Sequence, residues 1–188
     1  MGFRICYLAA QLEPETFAGS LGLEVAMQAD EMPADDWWTA RLKNGWTILW
    51  AQDETFGANA REQIERLSSE ADIIHCEVNE TVMWCSAEYW SGGQSKWKVS
   101  HAGDGDERFD LTVQGDLPSG FADIRDQNFK AQKDGGEDVD HVFEIPLELA
   151  RSIIGFRHED YLEPDDVDAF FVLKPPVKKG ILARLFSR

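Results

Sequence analysis

Apolar positions along this chain change their period several times, and each change marks an element. Residues 3–10 form an almost unbroken apolar run with β-favouring Ile5 and Tyr7, which predicts a buried strand near the middle of a sheet. From 13 to about 28 the spacing lengthens. Phe17, Leu21 and Val25 recur every fourth residue, predicting a helix weakened by Gly19 and Gly22. Two β-favouring runs, 37–43 and 46–51, then flank Asn44-Gly45, a pair that tolerates the positive φ of a two-residue hairpin turn. That turn sets Arg41 opposite Ile48 with Trp46 and Trp50 as diagonal neighbours, a geometry suited to a cation–π contact.

Ile64 and Leu67, set among Arg61, Glu62, Glu65 and Arg66, predict an amphipathic helix over 58–70. Runs at 73–79, 82–90 and 95–101, separated by polar or glycine-rich turns, predict three antiparallel strands. A fourth run at 109–113 alternates apolar and polar residues. Residues 119–133 carry helical spacing behind a capping Ser119, and 139–145 reads as a short strand. Pro146 opens a helix that stops at Gly155, and 167–173 reads as the last strand. Strands in runs with helices between them predict an α+β fold: a single domain over 1–173, with a mostly antiparallel meander sheet and two to four helices packed on it.

Composition adds an asymmetry. The chain of 188 residues has a net charge of −17, yet residues 174–188 hold five of its eighteen basic residues and none of its 35 acidic ones. An acidic body is repelled by phosphate backbones, so direct nucleic-acid binding is not expected, and cationic proteins become its natural partners. Lys174-Pro175-Pro176 begins a stiff linker. Beyond it, Ile181, Leu182, Leu185 and Phe186 gather on one side of a short basic amphipathic tail. Such a tail suits docking on its own acidic body, exchange between copies in a homo-oligomer, or peripheral tethering; eight residues are few for a stable membrane anchor. Three cysteines on expected strands, without a leader pattern ahead of them, read as reduced core thiols in a cytoplasmic protein.

Motifs of catalysis are sparse. No C-x-x-C, H-x-x-H or H-E-x-x-H spacing suggests a metal, no G-x-S-x-G a nucleophile and no G-x-x-x-x-G-K a phosphate loop, so no cofactor and no metal is expected and the reading leans away from an enzyme. A two-residue turn at Gly92-Gly93 sets Trp84 opposite His101 and Glu88 opposite Trp97. These four, with Trp90, then share one sheet face as a candidate small-ligand or hydrolytic site. Asp104, Asp106, Glu107, Glu159, Asp160, Glu163, Asp165 and Asp166 form the candidate surface for a basic protein partner, as in a toxin-neutralising, immunity-like protein. Ordinary packing of tryptophans and a solvated acidic surface are the competing readings of these two features.

Overall fold

The computed structural model describes residues 2–103, 109–135 and 139–174. Nine strands form one sheet: β1 (Arg4–Ala10), β2 (Glu24–Ala29), β3 (Trp37–Leu42), β4 (Thr47–Ala51), β5 (Ile73–Asn79), β6 (Trp84–Ser91), β7 (Gln94–Ala102), β8 (Thr112–Gly115) and β9 (Val167–Lys174). Their order is β2-β9-β3-β4-β1-β5-β6-β7-β8. Every neighbouring pair is antiparallel, and β5 to β8 form an uninterrupted meander. The buried opening run lies at the centre as β1, paired with β4 on one side and β5 on the other.

Alternation along the strands divides the core into two layers. One face packs Tyr7, Trp38, Ile48, Cys76, Cys85, Trp97 and Val99 against helices α4 (Phe121–Asp134) and α5 (Glu144–Ile154). The other packs Cys6, Leu8, Leu49, Ile73 and Trp90 against α1 (Pro14–Ser20), α2 (Phe56–Asn59) and α3 (Arg61–Leu67). The fold is therefore α+β, with five α-helices among the described residues where two to four were expected. The extra one arises because the helix expected over 58–70 is interrupted at Ala60.

Four further expectations are corrected. The helix expected to reach residue 28 ends at Ser20. Gly22, at φ 78°, turns the chain, and residues 24–29 pair with β9 as an edge strand. The strand expected over 139–145 is absent because Asp140 Oδ1 accepts the Val142 and Phe143 N–H groups, a local turn that leads straight into α5. The hairpin at Asn44-Gly45 has a three-residue loop. The Leu42 N–H donates to the Trp46 carbonyl and Gly45 takes φ 91°. Arg41 thus lies opposite Thr47, not Ile48, and pairs with Glu13 instead of the tryptophans. The fourth meander strand is also shifted, from 109–113 to Thr112–Gly115.

Candidate functional site

At Gly92-Gly93 both residues take positive φ, 61° and 73°, and the two-residue turn forms as the sequence suggests. A bulge between Tyr89 and Trp90 then moves the register by one residue. Glu88 faces Lys98, Tyr89 faces Trp97, and Cys85 faces His101. Because side chains alternate, that step separates the four candidates. Trp84 and Glu88 lie on the side of α1–α3, whereas Trp97 and His101 lie on the side of α4 and α5. The expected tryptophan–glutamate–histidine face does not form.

His101 has a different setting. Its Nε2 is 2.8 Å from Asp140 Oδ2 and its Nδ1 faces the Asp110 carbonyl, so it ties β7 to the segments before β8 and α5. Trp97 packs on Tyr89 at 5.9 Å between ring centroids.

What the fold assembles around Glu88 is a polar patch spanning four strands. The pairings His75–Glu88–Lys98–Gln114 and Glu77–Ser86–Ser100–Thr112 form two adjacent rows on one face. Four of these residues are buried despite their polarity: Ser86 (1% exposed), Glu88 (2%), His75 (5%) and Glu77 (8%). Helix α2 reaches the patch through Gly57, where a Cβ would overlap the His75 ring. Arg61, at the start of α3, stacks its guanidinium 4.6 Å from the Trp90 ring centre.

Geometry inside the patch is incomplete. The Glu88 Oε2 atom is buried and accepts no hydrogen bond, and the His75 Nε2 atom is likewise without one. Arg61 Nη1 stands 3.6 Å and His75 Nδ1 3.9 Å from Glu88 Oε2, beyond hydrogen-bonding distance. Glu77 Oε1 and His75 Nε2 approach to 3.3 Å without a hydrogen-bonding angle. Burial works to raise the Glu77 pKa, but contact with His75, the Lys98 charge and the Ala58 N–H outweigh it and hold the carboxyl below its usual range. Next to this patch opens a cleft of about 610 Å³, bordered by Arg61, Glu88, Lys96, Lys98, Ser100 and Gln114.

The sequence reading missed most of these residues. Arg61 sits on what reads as the solvent side of a helix, and polar residues alternating along strands read as a wet face. The available signal was that three successive strands each carry a polar pair two residues apart: His75 and Glu77, Ser86 and Glu88, Lys98 and Ser100.

Much of the acidic segment serves the fold. Asp160 accepts from Arg151 at 3.0 Å and from the Arg157 N–H at 2.7 Å, and Glu159 pairs with Arg157 at 2.8 Å. Asp166 and Glu163 cap each other's backbone across a short 3-10 turn, and Asp168 pairs with Lys43 at 2.7 Å. Asp165 borders a second, shallower groove with Lys43, Arg151 and exposed Tyr161. Asp104, Asp106 and Glu107 lie outside the described residues, as do Ile181, Leu182, Leu185 and Phe186.

Glu80, His158 and Glu159 bring one donor atom each within 4.8 Å of the others, a convergence that residue spacing did not reveal. Arg157 already neutralises Glu159 there, and the Phe3 N–H occupies Glu80 Oε2 at 2.8 Å. His158 Nε2 lies 3.2 Å from Glu80 Oε1, which leaves Nδ1 buried and unpartnered. Burial, reinforced by Arg157, lowers the His158 pKa below its ordinary 6.5. An unfolded chain therefore binds more protons than the folded one as pH falls through 6.5, and stability falls with it. Urea titrations at pH 7.5 and 5.5 are expected to show a larger loss for the natural protein than for His158→Gln. Equal losses would contradict a buried neutral ring.

The cysteines are all buried and reduced, and burial pushes the Cys76 thiol up to about 12. Cys6 and Cys85 are raised well above their usual value by the same cause. They are packing groups. Among the described residues no helix is long and apolar enough to cross a membrane.

Fold and site together define a single-sheet α+β protein with a buried charged patch beside an open cleft. No protein family, curated protein or solved structure matches the chain.

Proposed function

We propose that this is a binding protein and that its cleft beside β6–β8 takes a small anionic ligand. The observation that carries this reading is a reversal of local charge. In a chain of net charge −17, three cations (Arg61, Lys96 and Lys98) border one cleft, with Glu88 as the only acidic residue lining it among the described residues. Clefts focus the field of the charges that line them, so this is where an anion would be drawn despite the acidic body. Ser100 and Gln114 supply neutral hydrogen-bonding groups at the same border.

Calorimetric titration with acetate, succinate and inorganic phosphate tests the reading. At least one anion should bind, and Lys96→Ala/Lys98→Ala should weaken it by about tenfold or more. Absence of binding by all three, or unchanged affinity in the double variant, would sink the proposal.

A second reading, in which the body docks a cationic protein in an immunity-like manner, draws on the position of the charge. Segments outside the described residues carry equal numbers of acidic and basic side chains, so the whole −17 belongs to the described ones. Among the described residues, no cation pairs with Asp30, Glu31, Asp35 or Asp36. A polyarginine peptide should bind at low ionic strength and dissociate on addition of salt, and neutralising those four carboxylates should weaken it. Retention of the peptide by the neutralised variant would remove this surface from consideration.

A further inference from the structure

The cleft also constrains what the anion must carry at its other end. We infer that the ligand is amphoteric, an amino-acid-like molecule whose ammonium group reaches Glu88 while its anionic group meets Lys96 and Lys98. This rests on the anion-binding reading above and narrows it.

A carboxylate oxygen removed from water needs a donor, and leaving one without a partner costs on the order of 1–3 kcal/mol, more for a charged group. Glu88 Oε2 is in that position. Arg61 is held 3.6 Å away because its guanidinium stacks on Trp90, and His75 stands 3.9 Å away on the neighbouring strand. Lys98 faces Glu88 across the β6–β7 pairing, but Lys98 makes no hydrogen bond to it. Arg61, Lys98 and the His75 ring therefore lie around the carboxylate without satisfying it, and Glu88 itself borders the cleft. A ligand ammonium entering from the cleft would supply the missing charge-assisted bond.

A simple amine would have to pass Arg61, Lys96 and Lys98, which repel it. A simple acid would satisfy those cations but leave Oε2 bare and add a second negative charge beside it. Only a molecule with both groups answers both ends of the site, and its specificity would come from that pairing more than from area.

The test is a calorimetric series on the whole protein: ω-amino acids from glycine to 6-aminohexanoate, each beside its matching unsubstituted acid and amine. One chain length should bind about tenfold or more tighter than its acid. Glu88→Gln, which keeps the shape of the side chain, should abolish that advantage by weakening the amino acid, while the acid, relieved of a neighbouring negative charge, binds at least as tightly as before. An acid that binds as tightly as its amino acid overturns the amphoteric ligand and leaves the anion reading standing. Failure of all amino acids and acids to bind overturns the amphoteric ligand, and overturns the anion reading as well when succinate and phosphate also fail. Circular dichroism and thermal unfolding of Glu88→Gln establish that the variant is folded; if it is not, Glu88→Asp, which withdraws the carboxylate by one methylene, should lower the amino acid's advantage in the same assay.

Discussion

Replacing Trp38 by alanine is expected to destabilise the protein by about 3–5 kcal/mol, the range for removing a fully buried large aromatic. Trp38 lies on β3 at the centre of an aromatic stack. Its ring is parallel to Trp50 at 5.7 Å, with Phe156 at 6.2 Å and Phe170 at 6.5 Å edge-on. These rings come from β4, the turn after α5, and β9, so the one side chain joins three parts of the chain that are distant in sequence. Phe170 and Trp50 belong to the strands on either side of β3, which limits how far the cavity can collapse. Urea unfolding measures the loss. Trp84→Ala provides the contrast, because that ring is only partly buried and outside both core layers, and its cost should be clearly smaller. Similar costs for the two would contradict the packing described.

Gly57→Ala is expected to cost about 1–3 kcal/mol, as overpacking does, and to disturb the polar patch directly. An added Cβ would overlap the His75 ring, and His75 has little room to withdraw because Glu77 and Glu88 flank it and α2 covers it. Either α2 lifts from β5 or the ring leaves its place between the carboxylates. A double-mutant cycle separates this clash from the loss of a glycine's flexibility. In a His75→Ala background the methyl group has space, so Gly57→Ala should there cost less than about 1 kcal/mol. An undiminished cost in that background would show that the backbone at 57, and not the histidine, demands glycine.

The correction at the β6–β7 hairpin illustrates how sequence and structure divide the work. The glycine pair legibly announces a two-residue turn, and that turn forms. One bulged residue beyond it, between Tyr89 and Trp90, exchanges which side chains share a face. A bulge is a local rearrangement with no fixed residue signature, and period-two alternation turns it into a wholesale change of neighbours. Glu88 was legible as a candidate, but its companions were not. His75 and Lys98 reach it through strand pairings, and Arg61 reaches it because α3 begins beside β6, a matter of helix docking.

The acidic segment near residues 159–168 shows the converse. Its charge is plain in the sequence, but its use is decided by distant cations: Lys43 from the β3–β4 loop takes Asp168, and Arg151 from α5 takes Asp160.

By itself, the sequence determined the α+β class, the central buried strand, the positions of most elements and the core placement of the cysteines. These follow from period, turn residues and side-chain size, which act over a few neighbouring residues. Tertiary structure alone decided that Glu24–Ala29, rich in helix formers, becomes an edge strand, because β9 offers it a ladder of backbone hydrogen bonds. It also decided that the strand order places β1 between β4 and β5, and that a buried carboxylate lies unpartnered beside a cationic cleft. Those outcomes depend on pairings between residues far apart in the chain, and local physical preferences do not encode which distant partner is met.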